Sequence, residues 1–290
     1  MPSTAAPPVL AILGARGFIG SRAVAAAQRR AGWTARPIPR ELADVQDASA
    51  LRAALAGTSV VVHAASYVGS DPELCRRVNV EGTANVAAAA AGARLVYLST
   101  AAVSGRGPFH DLDEADAPVA PGSPLSESRA AAERIVLAHG GLVVRPHLVV
   151  GAGDRWVGRG IAALTAAVGG LVDDGRAVHS VIEASTLGSL LVELATGPRP
   201  AHSVVHAAHR EPMRVRALVG ALWPDRPAPP SVPMQEARTA VADSPTLERA
   251  LALLGVDHGF AVRRLPAEAS VALARPFALS AEAVAWYRGE

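Results

Sequence analysis

The stretch GARGFIG, Gly14 to Gly20, restricts the fold of this chain more than any other part of the sequence. It follows the apolar run VLAIL directly and opens a helix-like segment. Glycines in this position let the backbone turn tightly and approach a pyrophosphate, whose charge is met by the N–H groups and the dipole of the helix N-terminus. The motif predicts a dinucleotide site. We expect it to be formed by Gly14, Arg16, Gly17, Phe18, Ile19 and Gly20.

Short β-rich runs alternate with helix-like segments through the first half of the chain. The runs are VLAILGA, WTARPIPR, SVVVHAA, RLVYLST and GLVVRPHLVVG. This alternation is typical of a parallel sheet with crossover helices, so we predict an α/β fold, a doubly wound Rossmann sheet with a smaller C-terminal substrate lobe. We place the nucleotide-binding domain in residues 1–150 and the lobe, partly interleaved with it, in residues 151–290.

Composition and charge exclude several classes of protein. The 28 basic residues nearly balance the 26 acidic ones and are spread along the chain, which argues against a nucleic-acid surface. Lysine is absent, so no lysine can act in catalysis. A single cysteine, Cys75, excludes a disulfide framework and a Cys-rich metal site; we expect a buried thiol and no bound metal. The N-terminal stretch has no signal-peptide pattern and no apolar run spans a membrane, which predicts a soluble cytoplasmic protein.

The end of the second predicted strand bears on which dinucleotide binds. An NAD site usually places an acidic side chain there for the ribose 2′-OH, whereas an arginine accommodates a 2′-phosphate. This strand ends in RPIPR, without an acid. Arg40, with Arg16 from the glycine turn, therefore favours NADP(H) over NAD(H). The alternative is that both are solvated surface arginines.

Taken together, the motifs resemble the extended short-chain dehydrogenase/reductase family, the NAD-dependent epimerase/dehydratase group. The resemblance covers roughly residues 8 to 190 and carries over motif by motif. LADVQD is similar to the segment that flanks the adenine, VVVHAAS to a strand end against the cofactor, NVEGTANV to the helix with an asparagine, and RPHLVVG to the strand beside the nicotinamide. The cofactor residues that it implies there are Asp44, Val45, Ala64, Ala65, Asn79, Pro146, His147 and Leu148.

The same resemblance shows what this sequence lacks. YLST is similar to the strand end with the catalytic hydroxyl, here Thr100, but the family's Tyr-x-x-x-Lys pair falls on Leu125 and Arg129. In the family the tyrosine is the general acid or base, and leucine cannot replace it. Such assistance is worth about 10²–10⁴ in rate, so its loss is severe but leaves hydride positioning intact. Arg129 keeps its charge and is expected to hold the ribose hydroxyls.

Three functions follow from this pattern. The first is a reductase whose ketone is protonated by water, another side chain or the substrate's own hydroxyl, similar to the tyrosine-lacking ketoreductases of aromatic polyketide pathways in antibiotic biosynthesis. The second is a non-catalytic NADP-binding regulator. The third, an ordinary epimerase or dehydratase, fits worst because those reactions need the missing tyrosine. Retention of Thr100 and of the C-terminal lobe favours the reductase.

Other residues are candidates for the substrate pocket. We expect it to be bordered by Tyr67, His110, Leu125 and Trp156. His110 and His147 are alternative proton donors, since each can carry a proton near neutral pH. With nine histidines in the chain, a structural role is open for each of them. The expected partner is a small molecule, and the expected state is a monomer or a homodimer.

The arginines predict a cofactor preference. NADPH is expected to bind substantially tighter than NADH, and Arg40→Ala is expected to remove most of this difference, because a positive side chain favours the 2′-phosphate. Fluorescence titration of both cofactors against wild type and variant measures it. Equal affinities in the wild type would contradict the prediction.

Overall fold

The computed structural model describes residues 6–290. Residues 1–5 lie outside the described part, and with them the beginning of the N-terminal stretch from which we predicted that no signal peptide is present. No helix within residues 6–290 combines the length and the apolar character needed to cross a bilayer.

Six parallel strands form the central sheet, which confirms the predicted Rossmann-type α/β fold. Their runs are rich in Val, Ile and Leu because helices cover both faces of the sheet. The edge strand carries Pro37, a residue tolerated there. In spatial order the strands are β2 (Thr34–Ile38), β1 (Val9–Leu13), β3 (Val60–His63), β4 (Arg94–Leu98), β6 (Leu142–Pro146) and β11 (Val204–Ala207). The order reverses between β1 and β3, the point where such sheets bind ligands.

Two helical layers enclose the sheet, each with its own apolar core. One layer consists of α1 (Phe18–Gln28) and α7 (Ala184–Thr196). The other consists of α2 (Ala48–Leu55), α4 (Gly82–Ala89) and α5 (Pro124–Ala138). A short helix α3 (Pro72–Leu74) and the π-helix Cys75–Glu81 lead into α4. The prediction of a buried thiol is confirmed, since Cys75 lies buried in the π-helix.

The smaller lobe has a third apolar core. Its helices are α6 (Val157–Val168), α8 (Val215–Leu222), α9 (Met234–Val241), α10 (Pro245–Leu254) and α12 (Ala281–Arg288). Helix α11 (Ala267–Ser270) packs against α7 in the central unit instead. A four-stranded sheet is formed by β12 (Met213–Arg214), β9 (Val178–His179), β14 (His258–Phe260) and β5 (Phe109–Leu112). Two strand pairs complete it: β10 (Val181–Glu183) with β7 (Leu148–Val150), and β13 (Ser231–Val232) with β8 (Leu171–Val172). Short 3₁₀ helices are Ala101–Ser104, Asp173–Gly175 and Ala272–Ala274.

The structure differs from the prediction that the run GLVVRPHLVVG forms a single strand. This run forms two strands, β6 in the central sheet and β7 paired with β10, because Pro146 cannot continue a ladder of backbone hydrogen bonds. The division at residue 150 stays a prediction. Both α7 and β11 come after it in sequence yet pack in the central unit.

A buried ion pair ties three elements of the central unit together. Glu133 on α5 accepts hydrogen bonds from Arg145 on β6, from Nε to Oε1 at 2.9 Å and from Nη2 to Oε2 at 2.5 Å. Glu133 Oε1 also accepts from the Ser99 hydroxyl at 2.5 Å. Both charged side chains are at most 5 % exposed, so each charge depends on the other. Ser99 directly precedes Thr100, and this network therefore fixes the strand end that carries Thr100.

Removal of one partner is expected to be costly. Arg145→Met leaves the Glu133 carboxylate buried without its counter-charge and should lower the free energy of unfolding by about 3–5 kcal/mol. Urea denaturation measures this. The matched double variant Glu133→Leu with Arg145→Met should recover most of the loss, because no uncompensated charge remains. A single-variant loss below about 1 kcal/mol, as at an exposed pair, would contradict the interpretation.

Candidate cofactor and active site

The glycine turn leaves no space for side chains at its closest approach. Gly14 has φ +75°, and a Cβ there would lie 2.7 Å from the backbone nitrogen of Ala65. A Cβ on Gly20 would lie 2.0 Å from the carbonyl oxygen of Gly14. The turn is closed by the Gly17 N–H, which donates to the Gly14 carbonyl at 2.8 Å. Helix α1, loop and the end of β3 are thus in backbone contact at the switch point.

The N-terminus of α1 suits an anion. Gly17 precedes the helix and has no side chain to cap it, so the first N–H groups of α1, beginning at Phe18 and Ile19, lack side-chain caps. Phe18 and Ile19 are half-buried, and Ala64 and Ala65 border the same crevice from the end of β3. A pyrophosphate fits this cradle because its oxygens accept from free N–H groups at the positive end of the helix dipole.

Of the two arginines expected at the cofactor's ribose, Arg16 lies in the glycine turn after β1 and Arg40 lies just after β2, and each has an acidic partner. Arg16 pairs with Glu41 at 3.1 Å, and Arg40 Nε donates to Asp44 at 2.8 Å. The arginine side chains are 73 % and 78 % exposed, so these pairs contribute little and are easily exchanged for another anion. Glu41 was overlooked in the sequence, although it directly follows Arg40.

Asp44 and Val45 are held by neighbouring elements. Burial raises the pKa of Asp44, but the Gln46 backbone N–H and the Arg40 guanidinium outweigh it and hold the pKa of this carboxyl below its usual value. Val45 is buried and packs on Gly82, where a Cβ would lie 2.6 Å from its methyl group. The segment between β2 and α2 is therefore anchored to α4.

Asn79 is a buried clamp between the end of β3 and helix α5. Its Oδ1 accepts from the Tyr67 backbone N–H at 2.8 Å, and its Nδ2 donates to the Tyr67 carbonyl at 3.1 Å. Nδ2 also lies 3.0 Å from the Ser128 hydroxyl oxygen, which accepts. The side chain of Asn79 thus fixes the backbone of the loop that carries Ala64 and Ala65.

Thr100 stands at the carboxyl end of β4. Its Oγ1 accepts from the Ala102 N–H at 3.2 Å and so begins the 3₁₀ helix Ala101–Ser104. A hydroxyl has a second role available, because it still carries one proton to donate. Thr100 can therefore cap this turn and at the same time donate to a carbonyl oxygen.

Leu125 and Arg129 lie on α5 as predicted, one turn apart, but Arg129 turns into the interior. It is buried, its Nη2 donates to the Leu98 carbonyl, and its guanidinium lies 5.0 Å from the centre of the Tyr97 ring. Burial and this guanidinium lower the pKa of His63 to about 3. Nε of Arg129 has no hydrogen-bond partner among residues 6–290. Leu125 itself is half-buried.

None of the three tyrosines takes the place of the missing phenol on α5. Tyr97 is buried in β4, as expected from its position in a strand. The Tyr287 hydroxyl donates to Asp154 at 2.7 Å, and burial and that carboxylate raise its pKa. Tyr67 is half-buried, and its ring folds over Gly69, where a Cβ would lie 2.3 Å from the hydroxyl oxygen.

His147, which follows Pro146 and precedes the buried Leu148, belongs to a histidine cluster that sequence reasoning missed. His147, His179 and His258 each place a ring nitrogen within 4.8 Å of the others. Burial lowers the pKa of all three, that of His179 to about 4, so the rings are neutral near pH 7. The three positions are far apart in sequence and follow no metal-ligand spacing, so no sequence signal connects them.

The hydrogen bonds of this cluster leave few free ligand atoms. His258 Nδ1 donates to the Val256 carbonyl at 2.8 Å, so its Nε2 accepts from the Gly107 N–H at 3.1 Å. Both nitrogens of His258 are thus occupied. His147 Nε2 lies 3.1 Å from His179 Nδ1, and the two rings deviate from parallel by only 6°. His147 and His179 thus bond to each other at the end of β6, and His258 bonds to backbone groups beside them.

Two residues expected at the substrate pocket are exposed. Trp156 is 61 % exposed at the start of α6. His110 lies on β5 with its Nδ1 3.4 Å from the Asp257 carboxylate and its side chain 71 % exposed. The structure thus brings the ends of β1, β3, β4 and β6 to one edge, with Gly14, Ala64, Thr100 and His147, while His110 lies on the lobe's own sheet.

Comparison with known proteins agrees with this arrangement. Residues 10–178, more than half of the chain, match the NAD dependent epimerase/dehydratase family. The chain belongs to this family. None of the curated proteins matches the sequence.

Solved structures share the fold at low identity. One is the terminal R domain of the myxalamid PKS-NRPS biosynthetic pathway, with a TM-score of 0.70, 17% identity, 99% of this chain and 91% of that chain covered. A second is UDP-glucose 4-epimerase of Thermus thermophilus in complex with NAD. Its TM-score is 0.67 and its sequence identity 18%, and the match covers 97% of this chain and 99% of that chain. A third is dTDP-4-dehydrorhamnose reductase of Bacillus anthracis str. Ames in complex with NADP. Its TM-score is 0.64 and its sequence identity 20%, and the match covers 78% of this chain and 83% of that chain.

The close contact at Gly20 predicts an intolerant position. Gly20→Ala forces the new methyl group against the Gly14 carbonyl and should destabilise the protein by about 3 kcal/mol. Gly160→Ala is the matched control in α6: no heavy atom lies within 4 Å of its Cβ position, and the gain in helix propensity is about 0.5–1 kcal/mol. Thermal and urea unfolding compare the two. Similar effects of both substitutions would refute the close contact.

Proposed function

We propose that this protein is an NADPH-dependent ketoreductase that reduces a ketone of a polycyclic aromatic polyketide in antibiotic biosynthesis. One observation carries the proposal. The glycine turn and the Thr100 hydroxyl lie at the same sheet edge, while α5 holds Leu125 and a buried Arg129 instead of a tyrosine and a lysine. Such a site can orient a ketone but has no tyrosine to protonate it. The fold shared with the terminal R domain of a PKS-NRPS biosynthetic pathway supports this direction.

The cofactor would be held by the glycine turn, which carries Arg16, and by Arg40 just after β2. The N–H groups at the start of α1 would bind the pyrophosphate, and Arg16 and Arg40 would exchange Glu41 and Asp44 for a 2′-phosphate. Bound NADPH supplies the hydride for carbonyl reduction. NAD(H) is the less favoured cofactor because it offers these arginines no phosphate. Two of the solved structures that share this fold contain a bound dinucleotide, NADP in one and NAD in the other.

The chain's own residues would act by orientation and by exclusion of water. Thr100 would donate a hydrogen bond to the ketone oxygen, and Leu125 would contribute an apolar wall in the place of a phenol. A phenolic hydroxyl beside the ketone would donate to the same oxygen and offset the charge of the nascent alkoxide. The acid assistance that the protein lacks is then part of the substrate.

One competing function has a specific observation in its favour. Arg129 is engaged with the Leu98 carbonyl and the Tyr97 ring rather than turned outward, which suits a non-catalytic NADP-binding regulator. An epimerase or dehydratase is disfavoured because proton abstraction needs the missing tyrosine. We further propose a cytoplasmic monomer or homodimer whose partner is a small molecule.

Methylation of the substrate hydroxyl is expected to slow the reaction. A polycyclic ketone with a neighbouring free phenol should be reduced with a kcat about 10²-fold or more above that of its methyl ether, because the ether cannot donate to the alkoxide. The Kd of the ketone should change less than kcat. Steady-state kinetics with NADPH and fluorescence binding of both ketones give the two quantities.

A fluorine-for-hydroxyl analogue controls for bulk, since it is small and likewise cannot donate. It should react as slowly as the methyl ether. If the ether and the free phenol react equally fast, the proton comes from water or a side chain such as His110. If no ketone is reduced while NADPH binds, the regulator replaces the reductase.

Thr100→Ala should impair turnover modestly. A neutral hydroxyl orients the carbonyl but is a poor proton donor, so kcat/KM is expected to fall about tenfold, the value of one hydrogen bond. Cofactor affinity should stay unchanged. Complete loss of reduction with intact NADPH binding would show that Thr100 carries the proton transfer.

A further inference from the structure

The C-terminal helix α12 is joined to the loop that follows β7, residues 151–156, by several side chains. The Tyr287 hydroxyl donates to Asp154 Oδ2 at 2.7 Å and accepts from the Gly151 N–H at 3.1 Å. Trp286 Nε1 donates to the Asp154 carbonyl at 3.2 Å. The Tyr287 ring lies so close to Gly158 that a Cβ there would stand 2.6 Å away. One turn of α12 thus covers both ends of this loop.

Asp154 is the centre of the contact. It is 3 % exposed, and its two carboxylate oxygens accept from the backbone N–H groups of Trp156 and Val157 (Oδ1) and of Gly158 (Oδ2), at 2.8 to 2.9 Å. These bonds cap the start of α6 and place a negative charge at the positive end of its dipole. Tyr287 supplies the remaining donor. A buried carboxylate that loses a donor is left with an unmet hydrogen-bond requirement.

The same loop touches the N-terminus of α1. A Cβ on Gly153 would lie 3.3 Å from the ring of Phe18, the first residue of α1. Arg22 of α1 donates to the Ala152 carbonyl at 2.9 Å and forms a two-pronged pair with Glu282 of α12 at 2.8 and 2.9 Å. Helix α12, the loop and α1 therefore form one connected set of contacts around the anion-binding end of α1.

From these contacts we propose that α12 holds the loop of residues 151–156 in the position that cofactor binding requires, and that Tyr287 is the positioning residue. The inference rests on the proposed binding of NADP(H) at the start of α1. Without the Tyr287 hydroxyl, Asp154 and the Gly151 N–H each lose a partner, and the loop spends part of its time away from Phe18. The apparent affinity then falls by the fraction of molecules in the competent state.

Tyr287→Phe tests the proposal because it removes one oxygen atom and keeps the ring against Gly158. The Kd for NADPH in a fluorescence titration should rise about tenfold, while kcat at saturating NADPH stays within about twofold, since the loop is in place once the cofactor is bound. Hydrogen exchange of the amides in residues 151–158 should accelerate in the cofactor-free protein. A merely structural role would lower the melting temperature without this local acceleration.

Arg288→Ala is the matched control. Arg288 also lies on α12, but its ion pair is with Asp225, at 2.7 Å, and not with the loop. The variant should change neither the Kd for NADPH nor the exchange of the loop amides. Glu282→Gln, on the exposed side of the helix, removes the charge that Arg22 pairs with and should raise the Kd about two- to threefold with the same exchange pattern. It keeps the proposal testable if Tyr287→Phe does not fold.

Three outcomes overturn the proposal. They are unchanged exchange in a folded Tyr287→Phe, faster exchange with unchanged Kd, and equal effects of Tyr287→Phe and Arg288→Ala. If the wild type itself binds no NADPH, the proposed function fails and with it the cofactor role of Tyr287. The exchange experiment needs no cofactor and shows separately whether the hydroxyl fixes the loop.

Discussion

The backbone contact between Gly14, Gly20 and the end of β3 is the constraint on which the site depends. A Cβ on Gly20 would lie 2.0 Å from the Gly14 carbonyl, and one on Gly14 would lie 2.7 Å from the Ala65 nitrogen. Because no side chain fits between them, α1 begins directly at the switch point of the sheet, and its first N–H groups face the crevice. Arg40 after β2, the Asn79 side chain and Thr100 at the end of β4 are arranged around this point.

Around this cradle, the side chains available for acid–base chemistry are either absent or engaged in contacts within the protein. Leu125 gives α5 an apolar side chain, Arg129 is bound to the Leu98 carbonyl, and Tyr287 is committed to Asp154. Neutral histidines line the end of β6, because burial lowers the pKa of His147 and its neighbours. The site keeps the Thr100 hydroxyl and the apolar Leu125 side chain, and under the proposed function this suits a substrate that brings its own hydrogen-bond donor.

Local patterns in the sequence predicted the sheet, the glycine turn and the helix with Leu125 and Arg129, since each depends on residues close in the chain. Contacts between distant segments had no such signal. Tyr287 meets Asp154 across 133 positions, and His179 and His258 meet His147 only because β9 and β14 are paired next to the end of β6. The inward turn of Arg129 was not predictable either, because it depends on the Leu98 carbonyl and the Tyr97 ring of another element. Pro146, by contrast, was visible in the sequence and divides the run that we had taken as one strand.

Reduction by a site without its own tyrosine is tested most directly by a single-turnover experiment with NADPH deuterated at the transferred position and a polycyclic ketone that carries a neighbouring phenol. We predict that NADPH is oxidised with a primary kinetic isotope effect and that one equivalent of the alcohol forms per enzyme. Tight binding of NADPH without any oxidation, across a panel of such ketones, would contradict the account and leave a cofactor-binding regulator.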